Sequence, residues 1–269
     1  VDGIYNITES TTGTLIPDSP AIASSYVANF DYYDEWGYLF ISTRNGLSVI
    51  DTKKTPIVED DTFVFTYNTT SDPALLLPDS SIPSIFFNES FHAYFDRHSG
   101  LIYNSSRNGA VTIIDTKKTK SPDDDIIYAA YTSETIPALP FPIPPHGIGQ
   151  TLPHPVNSNI IYISSLGTWG IAVIDTKNTA IQSDDILLDH YTRNSMTVTP
   201  YHNRGQSRFN EAGNRLYVTN AGFAPCQINT DDTFIPSSSI TSNPLSIGNI
   251  PTQTISWEQT IGDHHTTSI

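Results

Sequence analysis

Apolar runs of strand length, broken every few residues by Gly, Asn, Asp, Ser or Pro, fill the chain, a pattern that favours short strands and many turns over long helices. The runs repeat. Residues 39–55 read LFISTRNGLSVIDTKKT, residues 102–119 read IYNSSRNGAVTIIDTKKT, residues 161–179 read IYISSLGTWGIAVIDTKNT, and a diverged fourth copy begins at Leu216 as LYVTNAGFAPCQINTDDT. With Asp51, Asp115 and Asp175 as the ruler, and Asn229 in the same slot, the period is about sixty residues. Each copy holds two apolar runs joined by a turn, which contains Asn45-Gly46 in the first and Asn108-Gly109 in the second. Asn-Gly tolerates the positive φ of a type I′ turn, so these are predicted β-hairpins. A shorter run precedes each hairpin (29–37, 94–100, 208–214) and another follows it (62–67, 125–131, 185–191), which makes each repeat four antiparallel strands.

Four-stranded meanders in tandem predict an all-β propeller. A blade between two neighbours buries both faces, so its central strands read as near-continuous apolar runs, as the endings Val49-Ile50-Asp51, Ile113-Ile114-Asp115 and Val173-Ile174-Asp175 do. A β-sandwich also has short strands but gives no reason for one closing motif to recur. Leu216-Tyr217-Val218-Thr219-Asn220, with those endings, resembles the YVTN-type β-propeller repeats of surface-layer and other exported proteins, which are related to lactonase-like propellers. The resemblance spans residues 25–235 and implies a propeller fold and a place outside the cell.

The expected organisation is four blades over about 25–67, 90–131, 146–191 and 204–234 within a repeat region 1–235, with 236–269 as a partial fifth blade or a C-terminal extension. Residues 2–8 resemble the outer strand 125–131 and are expected to complete the last blade and close the ring. An open excerpt of a larger propeller, or a subunit completed by a neighbour, is the alternative.

Thirteen Lys and Arg against 28 Asp and Glu give a net charge of −15, which repels phosphate backbones and anionic lipid; no nucleic acid is expected as a partner. All six lysines fall in the turn after the third strand, but more aspartates and glutamates share those turns, so the rim is mixed in charge and not a basic face. One cysteine, Cys226, allows no intramolecular disulfide, and no apolar stretch is long enough for membrane insertion. A chain that begins at Val1 and has Met196 as its only methionine reads as a processed or excerpted, soluble form. Sequons stand at Asn6, Asn68, Asn88 and Asn104, about as many as chance places in so Ser- and Thr-rich a chain. By position, Asn6, Asn68 and Asn88 are the expected glycan sites, since Asn104 falls within a predicted strand.

The Asp of each Ile-Asp-Thr is expected to cap its own turn. The paired aspartates nine residues later, Asp60-Asp61, Asp124 and Asp184 among them, are expected to guard the outer strand, with calcium as the sharper reading because hard cations need several oxygens. His146 and His202 each stand 14 residues before their hairpins, and His92 joins them from the second copy; imidazoles converging on a channel could bind a ligand or act as a general base. The bland reading is hydrogen-bonded loop histidines. The Pro-rich run 137–145 reads as a stiff connection. No Gly-X-Ser-X-Gly elbow, His-Glu-X-X-His, Cys-X-X-Cys-His or Walker loop is present. The expectation is therefore a non-enzymatic extracellular or cell-surface propeller, a surface-layer, matrix or filament block partnered by itself, by other surface proteins or by glycans, with no cofactor. The alternatives are a lactonase-like hydrolase with its site at the channel, and a calcium- or glycan-binding module.

Overall fold

The computed structural model describes residues 5–6, 14–15, 27–44, 46–67, 90–107, 109–141, 147–166, 170–179, 181–191, 203–210, 212–220 and 226–230. These residues are all-β; their helical turns are the 3₁₀ segments Val58–Asp60, Pro122–Asp124 and Gln182–Asp184. Short ladder strands β1 (Tyr5–Asn6) and β2 (Thr14–Leu15) come first. Four antiparallel sheets of meander order follow. The first is β3 (Val27–Tyr33), β4 (Tyr38–Thr43), β5 (Gly46–Asp51) and β6 (Thr62–Tyr67). The second is β7 (Ser90–Asp96), β8 (Leu101–Ser106), β9 (Val111–Asp115) and β10 (Ile126–Tyr131). The third is β11 (Ile148–Pro153), β12 (Ile160–Ser165), β13 (Ile171–Asp175) and β14 (Ile186–Tyr191). The last has three described strands, β15 (Asn203–Phe209), β16 (Arg215–Asn220) and β17 (Cys226–Asn229).

These are blades of the propeller type. Strand β12 is buried at every position, and β5, β9 and β13 at every position but the closing aspartate, as strands covered on both faces must be. Residues 2–8, expected as the outer strand of the last sheet, instead contribute Tyr5 and Asn6 to a ladder with Leu15 and Thr14. A ladder within one short loop costs little closure entropy, whereas pairing with a sheet more than two hundred residues away costs more.

The chain forms two compact units, Val1–Ala130 and Tyr131–Ile269. In the first, one core joins the first two sheets: Tyr33, Tyr38, Phe40, Leu47 and Val49 on one side, Phe95, Ile102, Ile114 and Ile127 on the other. The Phe40 and Phe95 rings stack at 5.4 Å with 8° between planes, and Tyr33 lies 4.3 Å from Phe95, centroid to centroid. The Phe95 N–H donates to Asp31 Oδ2 at 2.9 Å, tying the adjoining first strands of the two sheets. The second unit repeats the scheme. Phe209 of β15 sits 5.2 Å from Tyr162 and 5.3 Å from His154, and the Ser207 N–H donates to Gln150 Oε1 at 2.5 Å.

The Asp-Thr ending works at two levels. Asp51, Asp115 and Asp175 each accept the backbone N–H two residues on, at 2.9, 2.8 and 2.8 Å, and their other oxygen meets the ammonium of that same lysine. Lys53-Lys54, Lys117-Lys118 and Lys177-Asn178 all have φ between 51 and 58°, a left-handed pair that costs side-chain-bearing residues about 1–2 kcal/mol each and that the carboxylate helps to hold. For Asp51 and Asp175 burial alone would raise the pKa, but the hydrogen bonds from Lys53 and Lys177 more than offset it and hold both below the ordinary carboxylate value. The following threonine clips the strand end to the preceding turn: Thr52 Oγ1 donates to the Gly37 carbonyl at 2.8 Å, Thr116 to Gly100 at 2.7 Å, and Thr176 to Asn159 at 3.1 Å. In the fourth copy Thr230 donates to Gly213 at 2.5 Å, which places Asn229 in the aspartate slot. The Gly of the hairpin turns, Gly46 and Gly109, has positive φ as expected; Asn45 and Asn108 lie outside the described residues.

The backbone cap should outweigh the exposed ion pair. In urea unfolding, Asp115→Ala should lose about 1–2 kcal/mol and Lys117→Ala clearly less, because its ammonium pairs in water. Equal losses would mean that the ion pair carries the turn.

Candidate functional site

The 3₁₀ turn before each outer strand ends in two aspartates with different fates. The first faces its own turn: Asp60, Asp124 and Asp184 accept the hydroxyl of the threonine five residues earlier, Thr55, Thr119 and Thr179, at 2.8, 2.7 and 2.8 Å. The second points inward. Asp125 accepts the hydroxyl of Tyr67, the last residue of β6, and Asp185 accepts that of Tyr131, the last residue of β10, at 2.6 Å. In both cases a tyrosine closing one outer strand reaches the carboxylate that precedes the outer strand of the next repeat. Both carboxylates are buried, and the second oxygen of each, Oδ1, makes no hydrogen bond.

Burial without a cation has its usual consequence. The Asp125 carboxyl is pushed up to about 7, first by desolvation and then by Asp124, Asp115 and Asp123, with the Tyr67 hydroxyl pulling the other way. Asp185 is pushed up to about 6 by desolvation, with Asp184 and Asp175 adding and Tyr131 opposing. Burial, then Asp125, drives Tyr67 well above the ordinary phenol value. The Asp125 pair thus gains and loses its proton around neutrality and the Asp185 pair about a pH unit lower. Beside the first lies a recess of about 270 Å³, counting space open to solvent, between Trp36, Phe65, Lys120 and Pro122. Lys120 lies over its mouth, its ammonium 5.2 Å from the Tyr38 ring centroid.

His92 lies in β7 and is buried, while His146 and His202 lie outside the described residues. The histidine that sequence reasoning missed is His154. It is buried, and its Nδ1 accepts the N–H groups of Val156 and Asn157 at 3.2 and 3.0 Å. Its proline-flanked place, His154-Pro155 before a turn, is the only signal it gave. Of the calcium candidates Asp60, Asp124 and Asp184 face threonine hydroxyls, Asp61 stands apart, and no group of three or more His, Cys, Asp or Glu among the described residues could hold a metal ion. Asn6 falls in β1, and Asn68 and Asn88 lie outside the described residues. Asn104 is fully buried and accepts the Ser90 hydroxyl at 2.6 Å. The buried aspartate–tyrosine pairs were legible only as a coincidence, a Tyr six residues after each such Asp.

No protein-family model matches the chain, YVTN repeats included, and no curated protein matches it. Among solved structures, 90% of the chain is similar to the extracellular domain of a candidate hybrid two-component system, BT4673, from Bacteroides thetaiotaomicron, with TM-score 0.53 and 15% identity. A candidate 6-phosphogluconolactonase from Bacteroides fragilis matches over 90% with TM-score 0.49 and 12% identity, and apo AztD from Citrobacter koseri over 87% with 0.42 and 14%. The chain spans 28%, 57% and 50% of those three proteins. At these identities the likeness is one of fold alone.

A carboxyl raised on folding favours the folded state most at low pH. The contribution of Asp125 and Asp185 is therefore complete below the unfolded value of 3.8 and is lost as pH rises through about 6 and about 7. The melting temperature should fall between about pH 5 and pH 8, and the double variant Asp125→Asn/Asp185→Asn should flatten that fall. An unchanged slope in the variant would place the titration elsewhere.

Proposed function

We propose that the chain is a non-catalytic propeller-type module of an extracellular or cell-surface protein, a scaffold that associates with itself or with other surface or matrix proteins. One observation carries this reading: the buried carboxylates that recur with the repeat join strand to strand through tyrosine hydroxyls, as packing contacts between successive repeats do. Supporting it, the turn carboxylates hold their own backbone, His154 is engaged by main-chain N–H groups, and the net charge of −15 disfavours anionic partners. Glycans at Asn68 and Asn88 fit an exported module, and so does the resemblance of residues 216–220 to surface-layer repeats.

The test is a panel of lactones with purified protein, alongside native mass spectrometry in the presence and absence of calcium. The scaffold reading expects hydrolysis at the buffer rate and no stoichiometric metal. Turnover that disappears in His146→Ala/His202→Ala would establish the hydrolase in its place, and a calcium-dependent rise in melting temperature would establish the calcium module.

A further inference from the structure

The second copy of the repeat carries a buried amide where its neighbours carry a hydrocarbon. In the aligned runs 39–43 (LFIST), 102–106 (IYNSS) and 161–165 (IYISS), the third position is Ile41, Asn104 and Ile163. Asn104 has no exposed surface, and neither do Thr112 and Ser42.

Register brings these three side chains into one layer. Asn104 of β8 stands opposite Ala93 of β7 and Thr112 of β9, and residues directly opposite in an antiparallel pair share a face. Ala93 belongs to the core between the first two sheets, so Asn104 and Thr112 project toward the first sheet. Ser42 of β4 stands opposite Leu47 of β5, a member of the same core, and so projects toward the second. The two meanders point the same way: Trp36, in the turn before β4, lies 5.5 Å from Phe95, near the end of β7. Phe40 stacks on Phe95, which pairs with Ile102. Ser42 is two residues beyond Phe40 and Asn104 two beyond Ile102, each one step nearer its hairpin turn, so they face each other in the next layer of the core.

That layer is polar and incompletely paired. Asn104 Oδ1 accepts the Ser90 hydroxyl at 2.6 Å, but among the described residues Asn104 Nδ2, Thr112 Oγ1 and Ser42 Oγ have no hydrogen-bond partner. Buried polar groups are almost always paired with protein or ordered water. Turning the amide over would exchange two unpaired donors for an unpaired acceptor and leave the same need. An amide and two hydroxyls from both walls of a layer that also holds the small side chain of Ala93 supply the roughly three hydrogen bonds an internal water makes. All three groups are neutral, so a buried anion would lack the opposite charge it needs.

We propose that one internal water is bound between the first and second sheets, accepting from Asn104 Nδ2 and bonded to the hydroxyls of Thr112 and Ser42. It gives this pair of sheets a directional tie one layer along from the stacked rings, and it holds whichever function the chain serves.

A high-resolution crystal structure of the full chain tests it. Wild type should show one ordered density peak about 2.7–3.2 Å from Asn104 Nδ2 and from both hydroxyl oxygens. Asn104→Ile, which installs the residue of the neighbouring copies, should remove the peak. Thr112→Val, which keeps the side chain's shape and deletes one partner, should weaken it, and serves alone if Asn104→Ile does not fold. Wild-type density without the peak, a peak of full strength in Thr112→Val, or anomalous scattering at that place after a bromide soak, which would mark a halide, would overturn the proposal.

Discussion

A sheet that is apolar on both faces cannot stand in water alone, and the packing of one such sheet on the next is the constraint from which the rest of this structure follows. In the first unit the stacked rings of Phe40 and Phe95, flanked by Tyr33 and Trp36, join the two sheets. In the second, Phe209 against Tyr162 and His154 plays the same part. Apolar packing is non-directional, so it does not by itself set how far one sheet slides along the next. The polar ties do. Asp31 to Phe95 and Gln150 to Ser207 fix the adjoining first strands, and the tyrosine–aspartate contacts fix the outer ones.

Those outer contacts are made with carboxylates, acceptors that are costly to bury. A carboxyl that takes up a proton can be buried at lower cost, and two carboxyls raised to about 7 and about 6 make the packing sensitive to pH between about 5 and 8. The turn aspartates act in the opposite sense. Asp51 and Asp175 sit at the surface beside ammonium groups and backbone donors, and their pKa lies below the ordinary value. One repeat thus uses the same residue type twice, with its pKa held down where water and a lysine are present and pushed up where neither is.

The hairpins were legible in the sequence because their signals are local: a turn residue with positive φ, two runs of strand length, and an ending that recurs with the period. The Asp-Thr cap was legible for the same reason, its acceptor and donor being two residues apart. What the outer aspartates do was not. Asp124 and Asp125 are adjacent and chemically identical, and the difference between them is that one faces a threonine five residues back while the other meets a tyrosine 58 residues away. In the N-terminal segment, likeness to an outer strand does not name a partner, and the described residues Tyr5 and Asn6 pair with Leu15 and Thr14.

A double-mutant cycle on Tyr67 and Asp125, measured as unfolding free energies of wild type, Tyr67→Phe, Asp125→Ala and the double variant, tests the central claim most directly. If the buried pair ties successive repeats, the two losses should couple by about 1 kcal/mol or more. Additive losses, with coupling within the error of the measurement, would contradict it.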